Sequence, residues 1–333
     1  MNKLASWWRP DAPSVLGLDL QASGVRLVEL SRPTHGEFQL RACGSLPCEP
    51  GWVVQGHIHA FDELAQGLRQ LVQDCKAASR DVVMGVPASC VMTRTLYVDA
   101  RASDSEVSRE VSVAVQRWVD QPLDELLVDH CRLDEVEAAG QKVVVVVSRR
   151  DPVHDRLGLA EAAGLRTVSV DLEAQASGLA LMALTQVDPR WHAHDTLALL
   201  EVEAEGAHLQ WMAAGELLHE ADFSFAPLRE VRATQGVEQA RQVSALVDWA
   251  TTQLHAPWSP TAESPAAALV VAGTGPLLTE VAHGLQRRCP WTVHLADPFE
   301  LAASADFSLP ATWTHQAAGY LRAFGLAING TLQ

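Results

Sequence analysis

The stretch TLALLEVEAEGAHLQWM (residues 196–212) repeats, at a constant offset, the layout of SVLGLDLQASGVRLVELS (residues 14–31). Asp19 falls on Glu201, Ala22 on Ala204, Gly24 on Gly206 and Leu27 on Leu209. Each copy reads as an apolar strand with an acidic residue near its end, a turn of small residues with a glycine, and a second strand. A third strand candidate follows each hairpin, EFQLRACGS after the first and ELLHEADFSF after the second. A helical period comes next in both. It is carried by Phe61, Leu64, Ala65, Leu68, Leu71 and Val72 in one copy, and by Val237, Ala240, Val243, Leu246, Val247 and Ala250 in the other. A single repeated hairpin is a weak signal. The same strand–strand–strand–helix order twice predicts a duplicated α/β architecture of two halves around a cleft.

The chain between the copies has a different character. VMTRTLYVD reads as a strand, and Ser103 stands three before Glu106, the spacing of a capping box. The helix it starts carries Val107, Val111, Ala114, Val115 and Trp118 on one stripe, and Gln121-Pro122 stops it. LLVDHCRLD returns as a strand, and KVVVVVS is apolar enough to predict burial on both faces. A helix over about residues 152–163 ends at Gly164, a left-handed cap. After the strand RTVSVD, Leu172, Ala176, Leu179 and Ala183 mark another helix. Beyond the second copy, the strand AAALVVAG runs into Gly273-Thr274-Gly275 and a helix bearing Leu277, Leu278, Val281 and Leu285. WTVHL and ADPFEL lead to a last helix over about residues 314–326, with Ala317, Leu321, Phe324 and Ile328 at helical spacing. The expected division is residues 1–87 with 166–195, an insert of residues 88–165, and a second half of residues 196–333.

The 333 residues carry 41 Asp and Glu against 25 Lys and Arg, a formal net charge of −16. Such an excess argues against nucleic acid, whose phosphates are met by clustered cations, and against adhesion to an anionic lipid surface. No run reaches the ~18–20 apolar residues that cross a bilayer, so direct membrane insertion is not expected. The opening MNKLASWWRP has too short an apolar core for a secretory signal, and Trp7 and Trp8 are expected to pack on their own domain. Six cysteines without a Cys-x-x-Cys pair read as free buried thiols in a reducing compartment. His57-x-His59 and His192-x-His194 lack a third ligand beyond common acids, so neither reads as a metal site. The composition describes a soluble cytoplasmic protein.

Two acid-tipped hairpins and a glycine turn between strand and helix are the parts of a phosphate-clamping cleft. In that reading Gln21, Ala22, Ser23 and Gly24 offer backbone N–H groups to phosphate, with Glu203 in the equivalent turn of the second copy. Asp19 and Glu201 would hold Mg²⁺ through water, and Gly273, Thr274 and Gly275 would let a nucleoside approach the backbone. A plainer reading has Asp19 pairing with a neighbouring arginine, and Gly273 and Gly275 serving only the backbone dihedrals at the start of a helix.

These segments resemble the PilM family, the actin-like cytoplasmic proteins of type IV pilus assembly related to FtsA. GLDLQASGVRLVEL is similar to the family's first phosphate segment, and VVAGTGPLL to its adenosine segment. VVVVVSRRDPVHDRLGLAEAAGLRTVSVDLEAQASGLAL resembles its strand, Ala-Gly-Leu turn and Asp-x-Glu-Ala helix start. ADPFELA and YLRAFGLAI are similar to its near-terminal Asn-Pro-Phe region and closing helix. The resemblance implies a duplicated actin-like fold with a 1C-type insert, and a cleft for ATP or ADP with Mg²⁺, or one that is degenerate in this chain and holds neither. It also implies a scaffold that captures the N-terminal tail of the inner-membrane protein PilN in a groove bordered by subdomains 1A and 1C, beside other pilus components or a second copy of the chain. Apolar stripes on the helix from Pro152 and on the Ser103-capped helix are candidates for that groove, although core packing explains them more simply.

The chain departs from the family in its turns. Gln21, Ala22 and Ser23 stand where Gly and then Ser or Thr are usual, and Glu201-Val202-Glu203 stands where Asp and then Gly are usual, with Glu205 close by. Glu203 puts bulk and negative charge where phosphates would lie. Two like charges ~4 Å apart at an effective dielectric near 20 repel by ~4 kcal/mol. ATP hydrolysis is therefore not expected. Two other readings stay open: an actin-fold ATPase or sugar-kinase-like phosphotransferase, which needs intact phosphate hairpins, and the cytoplasmic region of a GspL-like type II secretion protein, which would be expected to continue into a transmembrane helix.

Overall fold

The computed structural model describes residues 13–32, 37–137, 139–187, 196–204, 206–213, 216–224, 235–254, 267–275, 277–303 and 316–332. Trp7, Trp8, His192, His194 and Glu205 lie outside the described residues. In chain order, strands Ser14–Gln21 (β1), Gly24–Ser31 (β2) and Phe38–Pro47 (β3) form a meander. The short pair Val53–Val54 (β4) and His57–Ile58 (β5) leads into helix Phe61–Asp74 (α1) and strand Asp81–Val86 (β6). The insert holds Val91–Val98 (β7), Asp104–Trp118 (α2), Leu126–Glu137 (β8) and Gly140–Arg149 (β9), and passes into Arg150–Ala162 (α3). Arg166–Leu172 (β10) and Glu173–Val187 (α4) complete the first half. The second has Thr196–Val202 (β11), Gly206–Ala213 (β12), Glu216–Ser224 (β13), Gln235–Leu254 (α5), Ala267–Gly273 (β14), Leu278–Gln286 (α6), Thr292–Leu295 (β15), Ala302–Ala303 (β16) and Leu321–Leu332 (α7).

The duplication read from the two hairpins is present in the sheets. One sheet runs β3-β2-β1-β6-β10 and the other β13-β12-β11-β14-β15, with the first three strands antiparallel and the last two added in parallel in both. The first sheet continues at its β3 edge with β16. Parallel strands added beside a hairpin are covered on both faces, so β1 and β11 read as nearly unbroken apolar runs. Leu16, Leu18 and Leu20 share a core with α1 residues Leu64, Leu68 and Val72, while Val83 on β6 packs with Leu326 of α7 on the opposite face.

The chain's last elements do not stay with the second half. β16 pairs with β3, and α7 lies across the first sheet, which revises the linear division that ended at residue 333. Its helix also starts later than the apolar period suggested, at Leu321 after a 3-10 turn at Ala317–Tyr320. α4 bridges the halves: it stays beside β10 and β6, where Ala176 shares a core with Val83, while Gly178 faces Met212 of the second sheet and the Gln210 amide donates to the Ala174 carbonyl. Glycines allow this crossing. A Cβ on Gly17 of β1 would lie 2.0 Å from the Ala323 carbonyl oxygen, and one on Gly325 of α7 would lie 1.8 Å from that of Ala176.

The insert is a three-stranded antiparallel sheet ordered β7-β9-β8 with α2 on one face. Val143, Val145 and Val147 point into that core, but Val144 and Val146 are only half-buried. Among the described residues KVVVVVS is therefore fully buried on the face that α2 covers and only half-buried on the other. The stripes on α2 and on α3 are core: Val107, Val111 and Val115 meet the insert sheet, and Leu159 and Ala160 meet the first sheet's core. The capping box forms as the spacing requires, with the Ser103 hydroxyl accepting from the Glu106 N–H and the Ser103 N–H donating to Glu106 Oε2 at 2.8 Å. Ser103→Ala is expected to cost about 1 kcal/mol, read as a lowered urea midpoint at unchanged slope; an unmoved midpoint would show that the cap contributes nothing.

The described cysteines are all free, as expected, but only Cys43 and Cys289 are buried; Cys48, Cys75 and Cys90 are half-buried and Cys131 is exposed. None of the described helices is long and apolar enough to cross a membrane.

Candidate functional site

The two equivalent hairpins bring their carboxylates to one point between the halves. Asp19 lies near the end of β1 and is fully buried; Glu201 lies near the end of β11 and is 3% exposed. Between them stands Arg322, from the first turn of α7. Its Nη1 lies 3.5 Å from Asp19 Oδ1 and 2.9 Å from Glu173 Oε2, and its Nη2 lies 3.2 Å from Glu201 Oε1 and 2.5 Å from Glu203 Oε1. The remaining nitrogen, Nε, reaches the Ser177 hydroxyl at 3.5 Å, and that hydroxyl donates to Glu201 Oε1 at 2.8 Å. The Gln21 amide donates to Asp19 Oδ2 at 2.8 Å. A second arginine, Arg26, is the cross-strand neighbour of Asp19.

Of the residues expected to form the site, Asp19, Gln21, Glu201 and Glu203 are therefore together. Ala22 and Ser23 form a two-residue turn closed at Gly24, and the Ser23 hydroxyl lies 3.0 Å from that of Thr274 across the cleft. Gly273 has φ +112° because its Cα faces the Val202 carbonyl so closely that a Cβ would sit 2.0 Å away. Gly275 shares that φ. The plainer readings of these positions are thus satisfied by the fold: Asp19 pairs with arginines, and the glycines serve the backbone. Asp19 and Glu201 do not present an open pair to Mg²⁺, since Arg322 fills the space between them. Among the described residues no set of His, Cys, Asp and Glu is arranged to hold a metal ion.

Glu173 and Arg322 were not singled out from sequence. Glu173 lay within the quoted Asp-x-Glu-Ala helix start, and Arg322 is the lone charge in the apolar run YLRAFGLAI. A charge in an otherwise apolar helix signals a buried partner.

The charges decide what the cleft accepts. Four carboxylates face two guanidinium groups, so full ionisation leaves an excess of two negative charges. Burial works against the Arg322 charge, but the surrounding carboxylates outweigh it and keep the guanidinium protonated. Burial raises Asp19 to about 6 against the pull of Arg322 and Arg26, and raises Glu173 to about 8 against Arg322. Both groups bind protons more tightly folded than unfolded, so acid favours the folded chain. Their effect is lost progressively as pH rises from 3.8 to about 6 for Asp19 and from 4.5 to about 8 for Glu173. His208, opposite Glu201 and 2.7 Å from Asp222, is also raised: burial opposes its charge, and the Asp222 hydrogen bond overrides that. Its contribution likewise fades on raising the pH. The melting midpoint is expected to fall between pH 6 and pH 8, and Glu173→Gln to flatten that slope. An equal slope in the variant would show that Glu173 does not carry the proton.

A triphosphate with Mg²⁺ does not fit this arrangement. Its anionic end would meet an excess of carboxylate, and its cation would compete with a guanidinium already in contact with all four acids. Apart from the acid cluster, a cavity of about 550 Å³ lies between α5 and α6, bordered by Val243, Val247, Leu277, Glu280, His283 and Arg287.

A family model described as type IV pilus assembly protein PilM matches residues 17–227, more than half of the chain. The chain belongs to the PilM family. Among solved structures, one described as a PilM-PilN type IV pilus biogenesis complex is similar at 22% identity, covering 97% of this chain and 99% of that one with a TM-score of 0.77. The ethanolamine utilization protein EutJ from Carboxydothermus hydrogenoformans is similar at 11% identity, covering 96% and 90%, with a TM-score of 0.55. These likenesses show the fold, which is actin-like. In this chain the first hairpin, the second hairpin and the glycine turn face one another, with Arg322 among the carboxylates.

Proposed function

We propose that this chain is a PilM-type scaffold that binds the cytoplasmic N-terminal tail of a PilN-like inner-membrane protein and links it to the pilus motor complex. In this reading it works in the cytoplasm, held at the inner membrane by its partner. The observation that carries it is the PilM family match, supported by likeness in fold to a chain solved in a PilM-PilN complex. Membership in that family favours the pilus reading over the type II secretion one. The three sheets support a first half, an insert of residues 88–165 and a second half, with β16 and α7 returned to the first. The tail groove belongs at the border of insert and first half. An acidic chain suits a tail of basic and apolar residues that lies extended, held by backbone hydrogen bonds and apolar pockets.

The acid-rich cleft supports a structural role in place of ATP hydrolysis. The cavity between α5 and α6 supports a second, narrower reading in which a nucleoside is held there without a bound metal. Titrating a basic, apolar PilN-type N-terminal peptide into the purified protein is expected to give saturable binding at micromolar peptide. No binding up to millimolar peptide, together with ATP turnover abolished by Asp19→Ala, would replace the scaffold with an enzyme.

A further inference from the structure

Arg156, on α3, makes no contact with the carboxylates of the cleft, yet its side chain is fully buried. Its Nε, Nη1 and Nη2 donate to the carbonyl oxygens of Gly85, Pro152 and Gly56, each at 2.9 Å, and among the described residues it forms no ion pair. A charge held only by carbonyls is costly to bury, so an apolar side chain would serve a plain core position better. The guanidinium suits this place because it is planar and presents its donors in several directions at once. The three carbonyls lie where the chain passes between the first half and the insert. Gly85 precedes the first passage, from β6 through Pro87 into β7, and Pro152 follows the second, from β9 into α3. Gly56, at φ +78°, belongs to the turn on which the first passage rests. A Cβ there would lie 2.5 Å from Pro87 Cγ, and the Ser89 hydroxyl donates to the neighbouring Gln55 carbonyl at 3.2 Å. The insert has a core of its own, Val107 and Val111 with Val143 and Val145, and shares no buried core residue with the first half, so no common core fixes its placement. We propose that Arg156 is the pin that ties both passages to the first half and so fixes the position of the insert, which makes it a positioning residue for the tail groove at that border. The groove role rests on the scaffold reading; the pin does not.

The test compares the native chain with Arg156→Lys, which keeps the charge but gathers its donors on one atom. Amide hydrogen exchange over residues 88–91 and 149–151 is expected to be about tenfold or more faster in the variant, the loss of at least one charge-assisted hydrogen bond, while α2 and α7 exchange as in the native chain. A basic, apolar PilN-type N-terminal peptide is expected to bind the variant about tenfold or more weakly. Gly56→Ala drives the turn away from Pro87 and leaves the arginine in place. It is expected to give the same pattern, and it decides the matter if Arg156→Lys fails to fold. Native exchange at both passages in a folded variant overturns the pin. So does an equal acceleration in α2, which would mark a residue of general stability. One peptide affinity for both chains, despite loosened passages, overturns the positioning role. A native chain that binds no peptide, with passages that loosen in the variant, removes the scaffold reading and supports the pin.

Discussion

Replacing Arg322 by methionine is expected to lower the stability of the folded chain by about 3–5 kcal/mol, the cost of leaving one side of a buried ion pair unmatched. For a chain of 333 residues that is a fall of about 4–7 °C in melting midpoint. Methionine fills similar volume, so the loss comes from charge rather than from a cavity. Four carboxylates remain where one guanidinium had touched all of them, and with Arg26 alone beside them full ionisation leaves an excess of three negative charges instead of two. The loss is therefore expected to shrink on acidification. Combining Arg322→Met with Glu201→Gln and Glu203→Gln should recover most of the midpoint, because removing both sides of a buried pair is far less costly than removing one. A single variant that melts within about 1 °C of the native chain would mean the cluster contributes little net stability, as exposed pairs do.

That cluster also marks the limit of what the sequence discloses. The strand order was legible because the two hairpins share one spacing of acid, small residue and glycine, and because strand and helix periods differ. The capping box at Ser103 and the left-handed Gly164, at φ +79°, were legible because each is a local rule about backbone groups. The half-open Val144–Val146 face was not, since a run of five valines looks the same whether one helix or two layers cover it. Arg322 was hidden for a related reason. The apolar spacing of Ala317, Leu321, Phe324 and Ile328 suggested a helix with one buried side, and an arginine beside it would point to water. In the fold, Leu321 to Ile328 are all buried, because α7 sits between the first sheet and α4. Helical period gives the buried stripe of a surface helix but is silent about a helix covered all round. The sequence therefore located Asp19, Glu201 and Glu203 and missed Glu173 and the cation.

Gly325→Ala is expected to be more damaging than its size suggests, with a loss above about 3 kcal/mol, at or beyond the upper end of the cost of overpacking. On an open helix the same change would help by about 1 kcal/mol, because alanine is the better helix former. Here the added methyl would lie 1.8 Å from the Ala176 carbonyl oxygen and 2.4 Å from its carbon, backbone atoms that no rotamer change can move. The only relief is to push α7 away from α4. That displacement carries Arg322 out from among the acids and separates Gly17 from Ala323, so one methyl disturbs the crossing and the charge cluster together. Gly236→Ala in α5 is the matched control: nothing lies within 4 Å of its new methyl, and a small gain or no change is expected. Soluble yield and melting midpoint distinguish the two. If Gly325→Ala is recovered at native yield with an unchanged midpoint, α4 and α7 do not cross in backbone contact, and the placement of Arg322 that depends on that crossing fails with it.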